Sequence, residues 1–300
     1  MTRIRRMTPV MWLGIVAVVL LVLLGLLVWD LRGGGVRSQA RALVSVGRAV
    51  LDDRPASTGG DFTDVIFVHH STGRNLIHQG RVRERLTSAG FQFWDHDYND
   101  VGLTRPSGER AGYSYNVPGD NTNPDGFARV FSQRVHQEPL NAFSGLMQHD
   151  VIIFKSCFPV SDITSDAHLE EWKEYYIEMR EVMDRHRDHI FIVVTQPPLN
   201  PAATDADTAA RARALASWLE SDEFLAGHPN VFTFDFFDLL AEGDASAPDF
   251  NMLRAAYRDG EDSHPNKLAN EKIGPLFVDF VIEAVEMYRA EGWWFPLLPG

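Results

Sequence analysis

Cysteine is almost missing from this sequence: Cys157 is the single one in 300 residues. No intrachain disulfide can form, and neither a cysteine-rich zinc site nor a paired redox centre can be built, so the fold has to stand on packing. Clustered basic residues are missing too. The 28 Lys and Arg are scattered among 41 Asp and Glu, for a net charge of −13. A phosphate-backbone partner needs grouped Lys and Arg, which argues against nucleic acid as a ligand. No internal repeat is visible. With 45% apolar and 23% charged residues, the chain is long enough for one domain of catalytic size with a real core.

Charge is absent altogether from Met7 to Trp29, a run of 23 residues. As a helix this run would be about 34 Å long at roughly 1.5 Å per residue, enough to span a bilayer. A cleaved signal peptide would have a shorter apolar region and small residues at the cut site, whereas here the Leu-rich run passes straight into Val28, Trp29 and Asp30. Residues 1–30 therefore read as an uncleaved signal anchor in a cell membrane. Arginines lie on both sides of it, and the short N-terminal tail favours a single-pass arrangement with the domain outside the cytoplasm. Residues 31–60 read as a stalk, with Gly33-Gly34-Gly35, a helix over 36–51 and the break "DDRPASTGG". Residues 61–300 are then the functional domain, ending in "GWWFPLLPG", which suits either an interfacial foot or packing on the domain.

Within that domain, strand-like runs alternate with helical stretches. The runs are "DVIFVHH" (64–70), "FQFWDHDY" (91–98), "VIIFKS" (151–156), "HIFIVVTQ" (189–196) and "NVFTFDFF" (230–237), several of them continuously apolar, as strands buried on both faces should be. Leu169, Trp172, Tyr176, Met179 and Met183 recur at helical spacing, a second helix is expected over 208–219, and a last one after His264 with Pro265 in its first turn. About five strands alternating with helices imply a three-layer α/β/α domain with a parallel sheet. Residues 100–125 carry many turn formers and no period, and read as a long functional loop.

In a parallel sheet, ligands sit beyond the C-terminal strand ends. Ser71 of "VIFVHHSTG" lies at such an end, where a serine can either present its hydroxyl to a crevice or, with Thr72, merely cap the helix that follows. A nucleophilic serine needs a base, and a base needs an orienter. His264 in "GEDSHPN" stands close behind two carboxylates, Glu261 and Asp262.

Together, "VIFVHHSTG" and "EDSHPN" resemble the SGNH, or GDSL-type, hydrolases, which place a nucleophilic serine after the first strand and a D-x-x-H-P element before the last helix. The resemblance covers roughly residues 62–290. It implies a flavodoxin-like sheet, Ser71 as nucleophile, His264 as general base, no cofactor, and an ester substrate such as an O-acetylated glycan or another envelope component. An acyltransferase or a non-catalytic envelope-binding domain would fit the same fold. The sequence departs from the family in having His69-His70 where Gly-Asp is usual, and "FKSCFPVSD" where a Gly-x-Asn-Asp element is expected. Replacement oxyanion donors are then sought in Gly119, Asn121 and Asn123 of the long loop, or in Ser156. For the acid, the family spacing favours Glu261 over Asp262. Two further readings are weighed: a metal held by His69, His70, Asp262 and His264, disfavoured because adjacent strand residues point to opposite faces, and Cys157 as nucleophile in place of Ser71.

Overall fold

The computed structural model describes residues 36–52, 60–119 and 123–291. The anchor segment 7–29, Asn121 and the tail 292–300 lie outside them. Among the described residues no helix is long and apolar enough to cross a membrane.

Helix α1 (Val36–Leu51) precedes the domain with the bounds expected of the stalk helix. The domain then runs β1 (Asp64–Val68), α2 (Ser71–Gln79), α3 (Val82–Ser88), β2 (Gln92–His96), β3 (Leu103–Thr104), α4 (Pro124–Phe131), α5 (Ala142–Leu146), β4 (Val151–Lys155), α6 (Asp166–Met183), β5 (Ile190–Val194), α7 (Ala206–Leu219), α8 (Asp222–Leu225), β6 (Val231–Phe234), α9 (Phe236–Leu240) and α10 (Lys267–Glu291). The six strands lie in the order β3-β2-β1-β4-β5-β6. All neighbours are parallel except β2 and β3, an antiparallel edge pair of two residue partners. The five parallel strands thus have the flavodoxin-like order, with the switch point between β1 and β4.

Three layers follow from the alternation of side chains along the strands. Ile66, Val68, Ile152, Phe154, Phe191 and Val193 point into one apolar cluster, with Tyr176, Met179 and Met183 of α6. Val65, Phe67, Val151, Ile153, Ile190, Ile192 and Val194 point into the other, with Phe277, Val281 and Val285 of α10. Continuously apolar strands are what two covered faces demand.

Two expectations are corrected. The 100–125 segment contains the edge strand β3, which folds back so that Thr104 bridges Arg110, and the start of α4. Turn formers hid so short a strand. Pro265 lies two residues ahead of α10, and Asn266 is its cap, its side-chain oxygen accepting from the Ala269 N–H at 3.1 Å.

One contact decides where the two ends of the site meet. α2 and α10 touch backbone to backbone at Gly80 and Gly274: a Cβ on Gly274 would fall 2.4 Å from Gly80 Cα, and one on Gly80 would fall 2.8 Å from Gly274 Cα. Only glycines allow so close an approach. Gly274→Val should therefore push α10 off α2 and cost about 1–3 kcal/mol, read by urea unfolding, with activity falling alongside because α10 follows His264.

A pH dependence is built in at the end of β2. His96 is fully buried, and its Nε2 accepts the Tyr115 N–H at 3.0 Å, a bond that requires the neutral ring. Burial pushes its pKa down to about 4, and that of His70 to about 4 for the same reason. The unfolded chain takes up these protons near pH 6.5 and the folded chain does not, so stability is full above about 6.5 and declines towards 4, by about 1.4 kcal/mol per pH unit for each histidine. Urea midpoints at pH 7.5 and 5 should differ in this sense, and His96→Gln should flatten the difference. Equal differences in both proteins would remove His96 from the account.

Candidate active site

The β1–α2 corner explains the sequence His69-His70-Ser71-Thr72-Gly73. β1 ends at Val68, and the His69 N–H continues the ladder to His96 O at 3.0 Å. The buried His69 ring bridges His70 O (Nδ1, 2.9 Å) and the Asp95 carboxylate (Nε2, 3.1 Å), while Arg83 holds the other oxygen of Asp95. His70, with extended backbone, precedes the helix and stacks on Tyr98 with ring centroids 4.0 Å apart. Gly73 gives the first turn room beside His69, since a Cβ there would lie 2.4 Å from His69 Cβ.

Ser71 is the first residue of α2, and no side chain caps that helix. The capping alternative for Ser71 is thereby replaced: helix geometry leaves its backbone N–H without an intrahelical acceptor, and its hydroxyl is turned elsewhere. Ser71 Oγ donates to His264 Nε2 at 2.8 Å, and His264 Nδ1 donates to Asp262 Oδ1 at 2.8 Å. Phe158 packs edge-on against the His264 ring at 4.9 Å.

The acid is Asp262, not the favoured Glu261. Asp262 Oδ1 accepts from both the His264 backbone N–H (3.1 Å) and Nδ1, a local turn that a short carboxylate two residues upstream makes readily. Hydrogen bonding to His264 holds the Asp262 carboxyl below the usual carboxylate range. Glu261 is exposed and makes no hydrogen bond to His264. The acid loop is pinned from β5: the buried Asn200 donates from Nδ2 to Gly260 O (3.0 Å) and Asp262 O (3.1 Å), and its N–H donates to Ser263 Oγ (3.0 Å). The "QPPLNP" stretch holding Asn200 gave no sign of this in the sequence.

The other candidates are placed as follows. Ser156 is buried just after β4, its hydroxyl 3.0 Å from Tyr176 OH and so engaged away from Ser71. Gly119 is exposed and does not line the crevice at Ser71; Asn123 stands at the start of α4. Cys157, 5% exposed, has its Sγ 3.9 Å from Ser71 Oγ and 3.5 Å from Thr72 Oγ1. His69 and His70 face different partners, and among the described residues no group of three His, Cys, Asp or Glu is placed to hold a metal ion.

Ser71 and His264 open on a crevice of about 410 Å³, lined also by Asn75, Gln79, Asp259, Asn266 and Lys267. Ser71, Asn75 and Gln79 follow at fours on α2, a spacing that could have marked them as one face once the helix was known. A roomier hollow of about 870 Å³ lies on the other side of α2 without either residue, and two of its arginines are already matched, Arg74 with Asp97 and Arg83 with Asp95.

Among solved structures, the chain is similar to one named a "putative acylhydrolase" from Bacteroides fragilis, with a TM-score of 0.50 and 13% identity over 80% of this chain and 95% of that one. At that identity the likeness speaks for the α/β fold alone. No protein-family model and no curated protein matches the chain.

Proposed function

We propose that the protein is a serine hydrolase of the acyl-ester type, working through an acyl-Ser71 intermediate. The observation that carries this reading is the unbroken Ser71–His264–Asp262 chain of hydrogen bonds, each link 2.8 Å, at the switch point of a parallel sheet. The similar Bacteroides fragilis structure, by its printed name, points the same way.

The chemistry follows from the arrangement. Ser71 Oγ attacks the ester carbonyl as its proton passes to His264 Nε2; the alcohol leaves carrying that proton, and a water activated by the same nitrogen then releases the acid. Asp262 keeps His264 in the tautomer that accepts at Nε2 and offsets the charge the ring acquires. The free N–H of Ser71, at the positive end of α2, faces the developing oxyanion.

The crevice wall of amides and charges, Asn75, Gln79, Asn266, Asp259 and Lys267, suits a hydroxyl-rich alcohol better than a lipid. An O-acetylated glycan or similar envelope ester is the substrate class this favours. Residues 7–29 would anchor the domain on the outer side of a membrane, an arrangement contradicted if a reporter fused at Gly300 works only in the cytoplasm.

Incubating the full chain with a short p-nitrophenyl ester, with and without a sugar acceptor, tests the reading by its products. Free acid in both cases is expected. Acyl-sugar would reassign the protein as an acyltransferase, and no turnover would reduce it to a binding domain.

A further inference from the structure

Lys155 ends β4 at the switch point, 2% exposed, and the reaction as described does not use it. Its Nζ donates to Thr72 Oγ1 and, at 2.8 Å, to Ser156 O, and lies 5.9 Å from the centre of the Phe236 ring. No carboxylate pairs with it. A charged group sealed from water without a counter-ion is expensive, and such groups persist where the field they create is used. What the ammonium lies against is the first turn of α2. Thr72, its hydrogen-bond partner, contacts Cys157 Sγ at 3.5 Å, and Cys157 in turn lies 3.9 Å from Ser71 Oγ.

We propose that Lys155 is a positioning residue for acyl transfer: its ammonium locks Thr72 and Cys157 behind Ser71, and its buried positive charge favours the oxyanion that forms on Ser71. The inference rests on the acyl-Ser71 reading. It supplies a source of positive field where the sequence lacks the asparagine donor that its resemblance to the SGNH hydrolases would imply. The charge acts at short range in a low dielectric, where it is worth far more than at the surface.

The titratable groups that feel this charge are Cys157 on the same loop and, at the β1–α2 corner, His69 and His70; Phe236 faces it from α9. Burial pulls the Lys155 pKa below that of an ordinary lysine, which brings loss of its proton into the range an activity assay reaches. Activity should therefore decline on the alkaline side as the ammonium is lost.

The test uses the full chain, comparing wild type, Lys155→Met and Thr72→Val, with thermal melts as the check on folding. Fluorophosphonate labelling of wild type comes first: if it does not label, the acyl-serine reading itself fails. Given labelling, Lys155→Met is expected to lose at least about tenfold in kcat on a short p-nitrophenyl ester with KM changed less than about threefold, because the field acts on the transition state and not on ester binding. The alkaline decline of wild type should be absent from this variant. Thr72→Val keeps the ammonium but removes its acceptor, so it should keep the decline and move it to lower pH, a result that stands even if Lys155→Met does not fold. A folded Lys155→Met with wild-type kcat, or a Thr72→Val profile superimposing on wild type, would overturn the proposal.

Discussion

Ser71→Ala is expected to abolish fluorophosphonate labelling and to lower kcat/KM on a short ester by at least about a thousandfold, as loss of a triad nucleophile does. Cys157→Ser should still label, with activity within about tenfold of wild type. The contrast matters because Cys157 is a serious rival. Burial alone would push its thiol up, but the Lys155 ammonium and hydrogen bonds from Thr72, the Phe158 backbone and Ser71 bring the pKa below that of an ordinary cysteine. What Cys157 lacks is a base. Its sulfur contacts the hydroxyls of Ser71 and Thr72, while His264 Nε2 is given to Ser71. A nucleophile is defined by the group that takes its proton, and that group is in contact with the serine. Labelling that survives Ser71→Ala and disappears in Cys157→Ser would transfer the role.

The second large effect is expected at the acid. Asp262→Asn should lower kcat/KM at least about tenfold, since a correctly held base contributes about 10² to 10⁴. Glu261→Gln should change it less than about threefold. The Asp262 side chain is 60% exposed, which places the expected loss near the low end of that range, because water screens part of its charge. Asparagine can still accept the backbone N–H of His264, so the turn should survive and the loss should fall on kcat, with the His264 tautomer no longer enforced. Equal and small losses in both variants would leave the ring held by the backbone turn alone, without a functional acid.

The contrast between these two acids also marks where the sequence stops being readable. Strand runs such as "VIIFKS" and "HIFIVVTQ" are legible because burial on both faces of a sheet demands unbroken apolar residues, and the α6 stripe is legible because Tyr176, Met179 and Met183 fall on one side of a helix. Ser71 and His264 are legible by their positions at element ends. Asp262 was passed over because family spacing counts residues, whereas the outcome turned on whether one oxygen can reach both the ring and the backbone N–H two residues on. Asn200 and Lys155 act across 60 or more residues of sequence, and no local pattern announces such a contact. The β3 edge strand, two residues long, is too short to leave a period.

The glycine contact between α2 and α10 also bears on when the protein can first become reactive. Ser71 and His264 are 193 positions apart, and they meet only when the last described helix has docked against one of the first. During synthesis the serine emerges early and stays an ordinary alcohol while β2 to β6 are added, since no base is present to take its proton. Competence arrives late and in one step, with the closing of the longest loop in the domain. Any variant that loosens Gly80 or Gly274 should therefore populate a folded sheet with an inert serine, and partial unfolding of α10 alone would switch the chemistry off before the core is lost.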